Sequence, residues 1–193
     1  MGLDTPITAT GREYDFVVKG NATATSSEPG IVWVMRDDNG NGAPDDRWFE
    51  LAGEDEKGGT FDAGSIERGY SSTYFKPSAP GQPVRWVFSH GTEGEVDYLP
   101  SYHLQPYYYP TWVAGESFTL SGTRLKSRAK DESGAGTMWV SPPYGKGYAD
   151  DFSFGGQRNC FRLSNAIDAD GNPVHLKSID FVKVQTGVCG KCG

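Results

Sequence analysis

The sequence predicts an all-β protein, a β-sandwich or jelly roll, on three observations. Short runs of β-branched and aromatic residues recur between clusters of Gly, Pro, Asn and Asp, whereas helical periodicity is hard to find. Aromatic residues make up 13% of the chain, which suits a turn-rich fold whose core relies on large rings. Strands at this spacing, with no helices between them, indicate packed antiparallel sheets. The 193 residues are most simply one domain, residues 1–193.

The predicted strands differ in how they are buried. "IVWVM", which begins the strand predicted over residues 31–36, is apolar throughout, as expected of a central strand buried on both faces. "DFVVKG" and "SFTLSG" alternate apolar and polar residues, or nearly so, as half-buried strands do. In chain order the predicted strands are residues 14–19, 31–36, 48–52, 72–75, 84–89, 117–121, 137–140 and 179–185.

The charge balance argues against a nucleic-acid partner. The net charge is −7, whereas phosphate binding needs a basic face. The densest basic stretch, residues 122–130, is short and runs into Asp131 and Glu132, which predicts a solvated strand end. No segment has the apolar length of a membrane helix, so no membrane span is expected. No secretory signal is visible after Met1.

An acidic loop within "VMRDDNGNGAPDDRWFELAG" predicts a calcium site. Oxygen-bearing side chains alternate at Asp37, Asn39 and Asn41, and Gly42 follows where the backbone must bend sharply. Alternation turns successive side-chain oxygens towards one centre, where Ca²⁺ would be held. The predicted calcium ligands are Asp37, Asn39, Asn41, the carbonyl of Ala43, Asp45 and Asp46, with water or another loop completing the set.

This loop departs from an EF-hand at its end. Trp48 stands where an EF-hand has its bidentate Glu, and both flanks are predicted strands. The loop is therefore expected to join two strands. The alternative is a solvated hairpin without a cation, because Asn-Gly is a strong hairpin signal.

Two further acidic segments are predicted to be simpler. "DADGNPV" carries Asp170-Gly171 between apolar stretches, which predicts a plain hairpin turn. Asp150 and Asp151, in a Gly-rich loop, either complete the calcium site or are solvated.

"SYHLQPYYYPTW" is an aromatic segment stiffened by Pro106 and Pro110. One interpretation is a ligand-binding surface, with flat rings for stacking on a sugar and polar groups for hydrogen bonds. The alternative is that the rings fold inward and cap one end of the fold. The candidate ligand-binding residues are His103, Gln105, Tyr107, Tyr109 and Trp112.

Recognisable catalytic signatures are absent from the sequence. The nucleophile-elbow, HExxH and phosphate-loop patterns do not occur, and the histidines share no familiar spacing. A glycosidase needs only two facing carboxylates, so Glu50, Glu93 and Glu95 stay as candidates. Cys189 and Cys192 have CxxC spacing at the chain end, which is the wrong context for a redox motif. The alternative is that one of them pairs with Cys160 in an oxidising compartment and leaves an odd thiol.

Several segments, in this order, resemble a family of secreted or lipid-anchored cell-surface proteins of gut Bacteroidota. They are "YDFVVKGNA", "SSEPGIVWVMRDDNGNGAPDDRWFELAG", "STYFKP", "YYPTW", "FTLSGTRL", "GYADD" and "AIDADGNPVHLKSIDFVKVQTGV". The resemblance covers about residues 14–188. It implies a galactose-binding-like sandwich in which the "DFVV" strand and the closing "IDFVKV" strand pair. It also implies an extracellular or cell-surface location beside outer-membrane transport components, and a truncated or divergent C-terminus, because the family continues beyond "TGV".

Three functions follow as hypotheses. The first is a non-catalytic, calcium-stabilised module that binds a carbohydrate or another small extracellular nutrient. The second is a secreted hydrolase of the glycosidase type that uses a carboxylate pair. The third is a structural or adhesive surface domain whose calcium loop only rigidifies the fold.

Overall fold

The computed structural model describes residues 2–54, 66–101, 104–153 and 159–188. Within them the fold is built from antiparallel strands, with no α-helix. The chain forms two compact units, which we describe separately: the first unit is residues 1–68 and 123–193, and the second unit is residues 69–122. The part of the chain that the structure describes has no helix with the length and apolar character needed to cross a membrane.

The strands are short, and most of the connections between them are turns and irregular segments. In chain order the elements are β1 (Gly2–Thr8), β2 (Phe16–Val17), β3 (Gly30–Met35), β4 (Trp48–Leu51), β5 (Ile66–Phe75), β6 (Val84–Phe88), β7 (Glu93–Val96), β8 (Ser117–Leu125), β9 (Lys130–Asp131), β10 (Trp139–Val140), β11 (Cys160–Phe161), a 3-10 helix (Leu163–Asn165), β12 (Ala166–Ile167) and β13 (Ser178–Thr186).

A five-stranded sheet in the order β1-β13-β3-β4-β12 organises the first unit. In the centre, Val34 of β3 lies opposite Val182 of β13 and Phe49 of β4. Val32 and Val34 are fully buried in one apolar cluster, and Ile31 is buried in another with Leu125. Because neighbouring side chains on a strand point to opposite faces, β3 is covered on both sides, as "IVWVM" predicts. Full burial of each valine side chain stabilises the folded state by roughly 1.5–3 kcal/mol.

The predicted strands over residues 31–36, 48–52, 84–89 and 179–185 are confirmed to within a residue at each end. The strand predicted over residues 14–19 is shorter and covers only Phe16–Val17. β1 was not predicted because it is polar, mostly exposed and interrupted by Pro6. Such a strand is tolerated at a sheet edge, where one side needs no partner.

The pairing of the closing strand differs from the expectation. β13 pairs with β1 on one side and β3 on the other, whereas the "DFVV" strand β2 pairs with β11. The prediction that "DFVV" pairs with "IDFVKV" is therefore wrong. Phe16 instead stacks on Phe161, with ring centroids 5.2 Å apart.

The second unit contains most of a four-stranded sheet in the order β7-β6-β5-β8. Its interior is rich in aromatic residues: Tyr70 packs edge-on against Phe88, and Tyr109 packs edge-on against Phe118. Ring–ring contacts of this geometry add stabilisation beyond burial alone. Both sheets are antiparallel where pairings are seen, which establishes the all-β class; the prediction of a single domain stays a prediction.

Candidate functional site

The acidic loop connects the ends of two neighbouring central strands. β3 ends at Met35 and β4 begins at Trp48, and these two residues are paired across the ladder. The loop is therefore a strand-to-strand connection, as its flanks predicted. The backbone N–H of Asp37 donates to Oδ2 of Asp180 on β13 at 2.9 Å, which ties the loop to the next strand as well.

The carboxylate of Asp37 organises the first half of the loop. Its Oδ1 accepts hydrogen bonds from the backbone N–H groups of Gly40 at 2.7 Å and Asn41 at 3.2 Å, and its Oδ2 accepts from Gly42 at 2.8 Å. Gly40 and Gly42 have φ of 71° and 72°, in the left-handed region that favours glycine. Three inward-pointing N–H dipoles thus offset one of the crowded negative charges.

The alternating side chains meet at Asp45. The amide nitrogens of Asn39 and Asn41 donate to its two carboxylate oxygens at 3.2 Å and 3.0 Å. Each Asn oxygen accepts a backbone N–H two residues further on, from Asn41 at 2.9 Å and Ala43 at 2.7 Å. Because an amide oxygen has two lone pairs, both oxygens keep acceptor capacity near Asp45.

Asp46 lies on the other side of the turn. Its Oδ2 accepts from the backbone N–H groups of Asp38 and Asn39 at 3.0 Å and 3.4 Å. Among the described residues, no three His, Cys, Asp or Glu side chains are grouped so that they could share a metal ion. A cation at this loop would therefore have to draw part of its coordination from amide and main-chain oxygens, which are donors that Ca²⁺ accepts.

Asp150 and Asp151 bond residues outside the acidic loop, and because Asp151 is buried it is not solvated. Oδ1 of Asp150 accepts from the backbone N–H groups of Asn21 at 2.7 Å and Ala22 at 3.0 Å. Asp151 is fully buried, and its Oδ1 accepts from the Ser27 hydroxyl at 2.6 Å and the Tyr144 N–H at 2.8 Å. Both carboxylates hold loops of the first unit together.

The Asp168 turn matches its prediction as a plain hairpin. Gly171 has φ of 82°, and Asp168 Oδ1 accepts from the N–H groups of Asp170 and Asn172. The Asn172 backbone N–H is the largest cause that lowers the pKa of Asp168.

The aromatic segment divides between the interior and the surface of the second unit. Tyr109 is buried, and its hydroxyl donates to the carbonyl of Gly115 at 2.8 Å. It therefore takes the inward alternative and has no ring face for a ligand. Trp112 is 83% exposed, Gln105 is exposed and Tyr107 is half-buried. His103 lies outside the described residues.

The candidate catalytic carboxylates have structural partners. Glu50 is buried and accepts a hydrogen bond from the Thr123 hydroxyl. Glu93 forms an ion pair with Arg85 at 2.5 Å, and Glu95 lies opposite Arg85 in the β6–β7 ladder. Burial, followed by the negative charge of Glu13, raises the pKa of the Cys160 thiol, which disfavours the nucleophilic thiolate. Cys189 and Cys192 lie outside the described residues.

A groove of about 710 Å³ in the first unit escaped the sequence predictions. We call it the Trp139 groove; its lining includes Ser26, Glu28, Arg128, Trp139, Ser141 and Thr186. These residues come from segments far apart in the chain and form no local pattern. Only the unusual accumulation of Ser and Thr before β3 could have drawn attention to it.

Comparison with models of known protein families gives no match to this chain, and comparison with curated proteins gives none either.

Proposed function

We propose that the protein is a non-catalytic, calcium-stabilised binding module that captures a carbohydrate or another small nutrient at the bacterial cell surface. The observation that carries the proposal is the meeting of Asn39, Asn41 and Asp45 beside the bend at Gly42. The spacing D-x-N-x-N-G-x-x-D is the one expected of a calcium loop, and it gathers oxygen-bearing side chains at one place. We further propose that the sheets form a β-sandwich of the galactose-binding-like type.

The donor set suits a weak calcium site. Ca²⁺ takes six to eight oxygen ligands, and a site with fewer charged ligands binds it more weakly. In this loop fewer than three carboxylates are placed to share one ion, so uncharged amide and carbonyl oxygens would supply the rest of the coordination. Extracellular calcium modules of this kind have Kd values on the order of 10⁻⁴–10⁻³ M. A site of that affinity would be filled outside the cell and would act mainly on stability.

Trp112 supports the binding role. It is the most exposed tryptophan among the large hydrophobic residues described, at 83%. It follows Pro110 in a segment anchored from below by the buried Tyr109. An exposed ring on an anchored segment is a suitable platform for a sugar face. Gln105 and Tyr107 complete this proposed surface, and the family resemblance supports its place beside outer-membrane transport components.

Thermal unfolding in EDTA and then in calcium tests the proposal. With 10 mM Ca²⁺ and the expected Kd, binding to the folded state stabilises it by about 1.4–2.7 kcal/mol. For a chain of this size, each kcal/mol raises Tm by roughly 2–4 °C, so an increase of about 3–11 °C is expected. Magnesium at the same concentration should give a much smaller increase.

Asp45→Ala is the test variant, because within the described part of the chain the Asp45 carboxylate accepts hydrogen bonds only from the Asn39 and Asn41 side chains. Asp170→Ala is the matched control, since it also removes an acidic residue from an exposed hairpin turn. The calcium-dependent increase should disappear in Asp45→Ala and persist in Asp170→Ala. An unchanged Tm of the unmodified protein in calcium would leave the loop as a solvated hairpin and refute the calcium role.

A further inference from the structure

The Trp139 groove presents polar groups that the protein does not use. Ser26, Glu28, Ser141 and Thr186 are among the residues that line it. Across residues 2–54, 66–101, 104–153 and 159–188, none of these four side chains has a hydrogen-bond or ion-pair partner. Polar groups at one groove that lack protein partners are able to bond a ligand without first breaking internal contacts.

The backbone around these hydroxyls is held in place. The N–H of Ser141 donates to the carbonyl of Thr25 at 2.9 Å, and the N–H of Ser27 donates to the carbonyl of Ser141 at 2.9 Å. Behind this ladder, the Ser27 hydroxyl is bonded to the buried Asp151. The groove wall is therefore pre-organised, which reduces the entropy lost when a ligand binds.

Trp139 supplies an aromatic surface beside the polar groups. It is 40% exposed, and its indole N–H donates to the carbonyl of Gly136 at 3.3 Å. The preceding turn is fixed by Asp131, whose carboxylate accepts from the N–H groups of Ser133 at 3.0 Å and Gly136 at 2.7 Å. The ring is thus presented on a short hairpin, β9–β10, with its polar edge already bonded.

The charges of the groove disfavour an anion. Of the described residues that line the groove, Arg128 is the only cationic one, and its guanidinium lies 4.1 Å from the centre of the Tyr144 ring. The same side chain donates to the carbonyl of Pro143 at 2.9 Å. Glu28 and Asp150 add negative charge at the same groove. A phosphate or a uronic acid would therefore meet repulsion without a dedicated positive partner.

We propose that the Trp139 groove binds a neutral saccharide, with the Trp139 ring against the apolar face of one sugar and the unbonded polar groups bonded to its hydroxyls. A neutral sugar combines an apolar ring face with several hydroxyl groups, and this groove offers a partner for each. Its volume of about 710 Å³ lies within the usual range of ligand sites. The inference rests on the proposed function in taking a carbohydrate as the ligand, and it adds a second carbohydrate-binding surface to the one proposed at Trp112.

Calorimetric titration in calcium-containing buffer tests the groove. The probes are maltohexaose, cellohexaose, xylohexaose and mannohexaose, with trigalacturonic acid as the acidic comparison. At least one neutral probe should bind, and Trp139→Ala should weaken its binding at least tenfold. Ser141→Ala and Glu28→Gln, which each remove or alter one hydrogen-bonding group, should weaken it roughly 2–10-fold. Leu120→Ala is the control: it removes an exposed apolar side chain that does not line the groove, and it should leave the affinity unchanged.

The other outcomes separate the groove from the proposed function. Binding that survives Trp139→Ala and is lost in Trp112→Ala would overturn the groove and keep the module a carbohydrate binder. Tighter binding of the acidic probe would overturn the assignment of a neutral ligand. Absence of binding to every probe would overturn the groove, whereas the proposed calcium-stabilised module has its own test in the calcium-dependent increase in Tm. If Trp139→Ala fails to fold, Glu28→Gln still tests the groove, because Glu28 is exposed and its substitution leaves the β9–β10 hairpin intact.

Discussion

Asp151→Ala should destabilise the protein strongly, although the sequence suggested for Asp151 only a place in the calcium site or in solvent. Its carboxylate is fully buried and accepts hydrogen bonds from the hydroxyl of Ser27 and the backbone N–H of Tyr144. Both donor residues are themselves buried, with 5% exposure each. Removing the carboxylate therefore leaves two donors without an acceptor in a place that water reaches poorly.

The size of the effect follows from those two contacts. A buried donor that loses its acceptor costs about 1–3 kcal/mol. Two such donors give a loss of roughly 2–6 kcal/mol in the free energy of unfolding, before any cavity is counted. For a chain of this length the corresponding decrease in Tm is roughly 4–24 °C.

A double-mutant cycle with Ser27→Ala checks the reasoning by chemical denaturation and thermal melts. Ser27→Ala removes one of the two orphaned donors, so the double variant should be more stable than Asp151→Ala alone. The free energy of unfolding of the double variant should exceed that of Asp151→Ala by about 1–3 kcal/mol. The reason is that the double variant no longer buries a Ser27 hydroxyl without an acceptor. Two results would refute this account of Asp151. One is a loss in the free energy of unfolding below about 0.5 kcal/mol for Asp151→Ala, and the other is a double variant no more stable than Asp151→Ala.

Two further predictions concern the aromatic segment and the β9–β10 hairpin. Trp112→Ala should change stability by less than about 0.5 kcal/mol, as exposed positions usually do, whereas Tyr109→Ala should cost about 3–5 kcal/mol because a buried ring is lost. Equal losses of stability for Trp112→Ala and Tyr109→Ala in denaturant melts would contradict the assignment of Trp112 to the surface and Tyr109 to the interior. The Ser133 hydroxyl and then the Gly136 N–H lower the pKa of Asp131 to about 2. Since this folded-state pKa lies below the ordinary value of 3.8, the contribution of the carboxylate is present above pH 3.8 and is lost as pH falls through 2. The indole N–H resonance of Trp139 should shift over that interval, and Asp131→Asn should abolish the shift.

Local spacing in the sequence was enough to predict the central strand and the acidic loop. β3 is apolar at every position except its glycine, and a strand of that composition is expected to be buried on both faces. In the loop, Asp37, Asn39, Asn41 and Asp45 contact one another within a span of a few residues, so the side-chain order and Gly42 determine the turn. Where the interacting residues are close in sequence, their spacing is enough to predict the local geometry.

Tertiary packing alone decided the features whose partners are remote. Tyr109 and Trp112 belong to the same aromatic segment, yet only Tyr109 packs against Phe118 and bonds Gly115. Ser27 and Asp151 are 124 positions apart, so no local pattern announces their contact. The Trp139 groove likewise gathers segments before β3, around β10 and at the end of β13. A sequence specifies turns through neighbouring residues, but the partners of a buried carboxylate and the lining of a groove depend on how distant segments fold together.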